Sequence, residues 1–223
     1  MKIAIDGPAG AGKSTVAKMV AVKLGYLYID TGAMYRAIAW LSRAHNVSAN
    51  DGPALAKLAR NCNLTLKPGA TTGVFVEGKD ISTDIRLPEI SELVGPVSAQ
   101  KELREELVKQ QQSMAHAGNA VLDGRDIGTV VLPDAEVKVF LTASPEVRAH
   151  RRLKDIQKMG LSDTLEEILA AIIERDHKDS TRAESPLRQA EDAVKVDTDT
   201  LTIEEVVETI LSLCSKCEKP IKI

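Results

Sequence analysis

Gly7-Pro8-Ala9-Gly10-Ala11-Gly12-Lys13-Ser14 stands between the apolar run Ile3-Ala4-Ile5 and the stretch Thr15-Val16-Ala17-Lys18-Met19-Val20. The order reads as strand, glycine-rich turn, helix, and in that context the pattern G-x-x-x-x-G-K-S has a physical meaning. Successive backbone N–H groups of such a turn line a concave nest for an anion, and the helix that follows aims the positive end of its dipole at the same point. Glycine is needed where a Cβ would hold the backbone away from a phosphate. Lys13 is placed to reach the outer phosphates, and the Ser14 hydroxyl to take Mg²⁺. Gly7 through Thr15 is therefore the expected ATP-binding loop, and the chain handles a nucleoside triphosphate.

With 223 residues, 43% hydrophobic and 27% charged, the chain has material for one α/β core, expected as a single domain over 1–223 with room for a small insertion. A net charge of -3 exerts no general pull on nucleic acid or on an anionic membrane, so any cations used for phosphate must be gathered locally. Aromatic residues make up 3% of the chain, too few for the stacking platforms that bind single-stranded nucleic acid. No apolar run is long enough to span a bilayer, and the N-terminus enters a strand directly without a signal-peptide pattern, so a cytoplasmic protein with no membrane or nucleic-acid-polymer partner is expected. Three cysteines argue against a disulfide framework. Cys214-Ser-Lys-Cys217 offers two of the four ligands zinc wants, and it reads as two thiols on a fraying terminal helix.

Gly25 stops the first helix, and Tyr26-Leu27-Tyr28-Ile29 reads as a second strand ending in Asp30. Thr31 or Asp30 caps the next helix, which carries Tyr35, Arg36 and Trp40. Arg36, one turn in, is placed either to clamp a second phosphate or to be solvated. Pro53 to Asn61 gives one modest helix. Leu64-Thr65-Leu66 and Val74-Phe75-Val76 alternate like strands around Lys67-Pro68-Gly69, with a tight turn at Gly78-Lys79-Asp80, so a small antiparallel sheet is expected as an insertion at about 63–90. Pro88 to His116 returns to helical spacing, and Arg104 among Glu102, Glu105 and Glu106 reads as a surface i, i+4 pair.

The apolar run ending in Asp123 is the next buried strand, and Gly124-Arg125-Asp126-Ile127-Gly128-Thr129 follows it. Charged residues between glycines at a strand's end are poor core material and good site material. Asp123 has the form of the acid that holds Mg²⁺ beside a P-loop. Val137 to Leu141 is another strand. Ser144-Pro145 opens a helix carrying Arg148, Arg151 and Arg152, which stops at Gly160. Thr164-Leu-Glu-Glu167 is a capping box for a helix running to Arg175, after which Arg175, Asp176, Lys178, Asp179, Arg182 and Arg188 form a mixed-charge stretch. Ala193 to Asp197 is the last strand, and Thr202-Ile-Glu-Glu205 caps a terminal amphipathic helix from Ile203 to Leu213.

Gly7 to Thr15, Asp30-Thr31-Gly32-Ala33-Met34-Tyr35-Arg36, Gly124 to Thr129, and Glu174-Arg175-Asp176 through Arg182 and Ser185-Pro186-Leu187 together resemble the bacterial cytidylate kinases over nearly the whole chain. The first motif is shared with many P-loop proteins, whereas the other three in this order are specific. The resemblance implies a three-layer α/β P-loop fold with a central parallel sheet, a small antiparallel insertion for the nucleoside monophosphate, and a short helical lid at about 148–162. It implies transfer of the γ-phosphate of ATP to CMP or dCMP, with Mg²⁺, by a monomer.

Position by position, the resemblance gives Arg36, Arg125 and Arg182 to the acceptor phosphate, and Lys13, Arg125 and Arg182 to catalysis. Arg175 and Asp179 go to the sugar, Arg104 and Asp126 to the cytosine edge, Thr31, Tyr35 and Gly124 to the same CMP site, Arg148 and Arg152 to ATP, and Ser14 and Asp123 to the metal. One departure stands out: the serine with which the family contacts cytosine falls at Gly95, with Ser98 nearby but out of register. A P-loop kinase of another acceptor, such as UMP, shikimate or a coenzyme precursor, is the alternative of the same class. A nucleotide-dependent switch or nucleic-acid-associated ATPase is the alternative of a different class.

Overall fold

The computed structural model describes residues 1–67, 73–158 and 162–217. In chain order the elements are β1 (Lys2–Asp6), α1 (Lys13–Leu24), β2 (Leu27–Asp30), α2 (Thr31–Ala44), α3 (Gly52–Asn61), β3 (Leu64–Lys67), β4 (Gly73–Val76), β5 (Lys79–Asp80), α4 (Pro88–Ser98), α5 (Lys101–His116), β6 (Ala120–Gly124), β7 (Val137–Thr142), α6 (Pro145–Lys158), α7 (Leu165–Thr181), β8 (Val194–Asp197) and α8 (Ile203–Cys217). A 3₁₀ turn lies at Asp84–Arg86 and a π-helical turn at Ile127–Val131. The expected turn at Pro68-Gly69 and the helix stop at Gly160 lie outside the described residues.

The chain divides into two compact units, Met1–Tyr26 with Ala120–Ile223, and Leu27–Asn119. In the first, β6, β1, β7 and β8 lie side by side in that order and run parallel, with Asp6 level with Gly124 on one side and with Phe140 on the other, and Thr142 level with Asp197. Parallel strands covered on both faces read as continuous apolar runs, and β1 and β6 are buried along nearly their whole length. Helix α1 packs on β6 and against α8, and α6 packs against α7 through Ala149, Ile156 and Ile168. The carboxyl ends of these strands share one edge of the sheet, where an α/β protein places its ligand.

The second unit is helical around α2, with α3, α4 and α5 packed against it and against one another, and it buries Met34, Ile38, Leu55, Ile90, Leu103 and Leu107. Strands β3, β4 and β5 form the antiparallel sheet that alternation in the sequence points to. Its second turn is displaced by one residue from the expected position. Glu77 and Gly78 both take positive φ and make a two-residue hairpin, so Lys79 and Asp80 are strand, paired with Val76 and Phe75. The helical stretch from Pro88 to His116 is two helices: Pro96 lacks an N–H, and Gln100 turns extended before α5 begins.

Two other elements run past their expected ends. Helix α7 continues to Thr181, because charges at helical spacing support it where apolar spacing stops. Glu174 and Lys178 pair at 2.5 Å across one turn. Helix α8 continues to Cys217, and Cys214 is packed in the core rather than frayed, while Cys217 is exposed and donates to the Glu136 carbonyl.

Candidate active site

The loop from Gly7 to Gly12 leaves β1 with Gly7, Gly10 and Gly12 at positive φ. A Cβ on Gly7 would sit on the Leu141 carbonyl oxygen, and one on Gly10 would press on Arg148 at 3.2 Å, so side chains are excluded by sterics as well as by backbone conformation. Three of the loop's carbonyls accept side-chain hydrogen bonds. Lys13 Nζ donates to Pro8 O at 2.8 Å, Arg148 Nη1 to Ala9 O at 3.1 Å, and Thr198 Oγ1 to Ala11 O at 3.3 Å. Pro8 O also accepts from Ala11 N at 3.4 Å, so the loop is held by its own turn as well as by these side chains.

Lys13 is 6% exposed. Burial, and next the charge of Arg125, lower its pKa to about 7, against the opposite pull of Asp123 and Asp6. Ser14 Oγ donates to Asp123 Oδ2 at 2.8 Å, which brings together the two residues expected to hold the metal. A hydroxyl and a carboxylate are the hard oxygen donors Mg²⁺ prefers, and Mg²⁺ is commonly held by one or two protein oxygens plus phosphate and water, so this pair fits the ion.

The loop after β6 brings Arg125 and Asp126 to the same sheet edge. Arg125 Nε donates to Asp179 Oδ2 at 2.9 Å, and Arg182 lies 4.0 Å from both Asp126 and Asp179. Burial pushes the Asp179 carboxyl up, but the charges of Arg125, Arg175 and Arg182 and the Arg125 hydrogen bond outweigh it, so the net shift is downward. Arg182 ends α7 and is anchored by its Nε to the Ser185 carbonyl at 2.8 Å. Arg175 is half-buried one turn before Asp179 on the same helix, and Gly124 is the last residue of β6.

Of the two arginines of α6 expected at ATP, Arg152 is exposed and Arg148 is buried. The Arg148 guanidinium meets both carboxylate oxygens of Asp176, at 3.0 and 2.5 Å, and its Nε donates to Ala143 O at 2.9 Å. Asp176, Thr198 and Arg151, whose guanidinium donates to Thr198 Oγ1 and O, are members of this support; the sequence gives Asp176 and Arg151 no role in it and does not point to Thr198 at all. Asp6 is another. Each of its oxygens accepts an N–H at 2.8 Å, Oδ1 from Ile127 and Oδ2 from Gly128. Only the position of Asp6, at the end of an apolar run and just before the glycines, hints at it.

The remaining expected residues lie in the second unit. Thr31 and Tyr35 are buried at the start of α2, whose N-cap is Asp30, accepting from Ala33 N at 2.9 Å. Arg36 donates to Ser91 Oγ at 2.9 Å and to the Ile85 carbonyl. Arg104 is 4% exposed, not the surface residue its glutamate neighbours suggest. It donates to Ser98 O at 3.0 Å, with its guanidinium 5.3 Å from the centre of the Tyr35 ring. Gly95 is exposed on α4, a Cβ there would meet nothing within 4 Å, and its carbonyl accepts from Ser98 Oγ at 3.0 Å.

A parallel sheet whose first strand passes through this loop into a helix, with the loop lysine and a serine–aspartate pair beside it, defines a P-loop nucleotide-binding protein. The cytidylate kinase family model matches residues 3–216. The chain is 54% identical to the cytidylate kinase of Shouchella clausii over 95% of its own length and 94% of that protein, and 50% identical to the cytidylate kinase of Lactobacillus johnsonii over 98% and 96%. Among solved structures, TT1252 from Thermus thermophilus shares the fold, with a TM-score of 0.51 at 18% identity, covering 98% of each chain. The chain belongs to the cytidylate kinase family.

Proposed function

We infer that this chain transfers the γ-phosphate of ATP to CMP or dCMP, giving ADP and CDP or dCDP. The observation that carries the reading is identity of 50% or more with cytidylate kinases along nearly the full length of both chains. An acceptor phosphate oxygen, already ionised near pH 7, bonds to the γ-phosphorus as the bond to the ADP oxygen breaks, so the chain's work is alignment and charge stabilisation. On this reading the Gly7–Gly12 amides and Lys13 hold the donor phosphates, with Arg152 beside them. Arg36, Arg125 and Arg182 hold the acceptor phosphate, and Arg175 and Asp179 the sugar. Asp126 accepts from the cytosine amino group while Arg104 donates to the ring, and Thr31, Tyr35 and Gly124 line the same subsite.

Ser14 and Asp123 are the residues that would hold Mg²⁺, which would supply positive charge against the donor phosphates. Arg148 supports this reading as a brace of the loop, since its guanidinium is engaged by Asp176, Ala9 and Ala143. A lid at about 148–162 and a monophosphate-binding insertion at about 63–90 belong to the same proposal, with closure excluding water that would otherwise hydrolyse ATP. A cytoplasmic monomer completes it. Cys62, Cys214 and Cys217 form no disulfide among the described residues. Among the described residues no helix is long and apolar enough to cross a membrane.

Coupled measurement of ADP formation with CMP, dCMP, UMP and AMP offered in turn tests the reading. Turnover with CMP and dCMP well above the other two is expected. Preference for UMP or AMP, or ADP release that ignores the acceptor, overturns it.

A further inference from the structure

The turn that follows Asp126 is capped in an unusual way. Asp126 occupies the N-cap position of the π-helical turn Ile127–Val131, where an aspartate ordinarily bonds the exposed amides of its own turn, yet its side chain makes no cap bond. The Asp126 carbonyl takes part in the turn, accepting from Val130 N at 2.9 Å and Val131 N at 3.2 Å. The cap carboxylate comes instead from Asp6 on β1, whose two oxygens accept from Ile127 and Gly128. Asp6 is 4% exposed and stands level with Gly124 in the ladder between β1 and β6. It therefore grips the chain on both sides of Arg125 and Asp126, by backbone register before them and by its side chain after them. Gly128 closes the arrangement sterically, since a Cβ there would lie 3.4 Å from Asp6 Oδ2 and 3.2 Å from Lys138 Cδ.

We propose that Asp6 is a positioning residue for base selection: by capping the Ile127–Gly128 turn from the neighbouring strand, it keeps the Asp126 carboxylate out of the cap and directed to the acceptor base. The inference rests on the reading of Asp126 as the acceptor of the cytosine amino group. It requires an acceptor-only group with two oxygens at position 6. An amide of the same shape sets its NH₂ against one of the two N–H donors, and the unsatisfied turn then recruits the carboxylate in cap position, that of Asp126.

The test is a cycle of Asp6→Asn, Asp126→Ala and the double variant, with kcat and KM measured separately for CMP, UMP and ATP. Asp6→Asn is expected to reduce the CMP-over-UMP ratio of kcat/KM by roughly tenfold, the scale of a lost hydrogen bond to a charged group, chiefly through CMP, while KM for ATP stays within about twofold. The double variant is expected to show the same ratio as Asp126→Ala alone, because both changes remove one carboxylate from the base. Equal losses with CMP and UMP, or a ratio in the double variant reduced by the full product of the single effects, overturn the positioning role. A ratio unchanged in Asp126→Ala overturns the base-reading role itself, a result distinguishable from failure at Asp6. Should Asp6→Asn not fold, Gly128→Ala crowds the same hydrogen bond from the turn side, with the same ratio expected to fall and an unchanged ratio overturning the proposal.

Discussion

The contacts that position the candidate site arginines differ between the two units. In the unit built on the parallel sheet, Arg125 is bonded to Asp179, Arg148 to Asp176, and Arg182 lies near Asp126 and Asp179. Within the unit Leu27–Asn119, Arg36 gives hydrogen bonds to a serine hydroxyl and a carbonyl, and Arg104 to a carbonyl beside the face of Tyr35. A carboxylate orients a guanidinium and cancels its charge; a carbonyl, hydroxyl or ring face orients it and leaves the charge intact. The sheet unit thus carries a dense lattice of paired charge around a loop made of amides, whereas in the helical unit neutral groups help to aim Arg36 and Arg104, and the carboxylate pairs of Arg43 with Glu89 and Arg60 with Glu106 lie elsewhere on its helices.

The comparison breaks most sharply at Lys13. Lys13→Ala is expected to lower kcat by about 10²-fold or more, since it removes a preorganised charge from the transferring phosphate. Because Lys13 is buried and spans the loop to Pro8 O, thermal melts of this variant should also shift, unlike those of a surface lysine. Near-normal turnover in a folded variant refutes the role.

Next in size is a pH effect confined to the sheet unit. Burial raises the Asp6 carboxyl from 3.8 to about 6. The folded state then binds this proton more tightly than the unfolded state, so stability is greatest below about pH 4 and falls as pH rises to about 6, by up to about 3 kcal/mol. Denaturant melts of wild type and Asp6→Asn between pH 4 and 7 measure it: the stability of wild type relative to the variant should decline across that window, and a flat difference would show that Asp6 does not titrate there.

Arg36→Ala and Arg182→Ala sample one cation from each unit. Both are expected to lower kcat/KM for CMP by roughly ten- to a hundredfold, the worth of a charged hydrogen bond, with ATP affinity unchanged by titration calorimetry. Loss of ATP affinity with CMP affinity kept would reassign either residue. Arg182→Ala should also free Asp179 and Asp126 of one neighbouring charge, so its melting temperature is expected to differ from wild type more than that of Arg36→Ala.

The smallest effect belongs to Gly95. Open space around it lets Gly95→Ser fit without rearrangement. The added hydroxyl is expected to raise the CMP-over-UMP ratio by about 1 kcal/mol, near fivefold. A ratio that stays put removes position 95 from base selection.

Much of this was legible along the chain, and the exceptions share a cause. The loop from Gly7 to Ser14, the cap at Thr164 with Glu167, and the alternation in β3 and β4 depend on residues within a few positions of one another, so spacing alone specifies them. The same local reasoning ended α7 too early, because it follows apolar spacing and the helix continues on charge pairs. Arg36 and Arg104 became interpretable only through family resemblance, since a lone helix arginine has many uses. The sequence by itself determined the fold class, the phosphate loop and the residue types available at it. Tertiary structure alone decided that Lys13 is buried, that Arg148 braces the loop through Asp176 and Ala9, and that Asp6 caps a turn from a neighbouring strand. Each of those depends on which groups far apart in the chain meet out of water, and burial, unlike spacing, becomes a property of a residue only when the strands have come together.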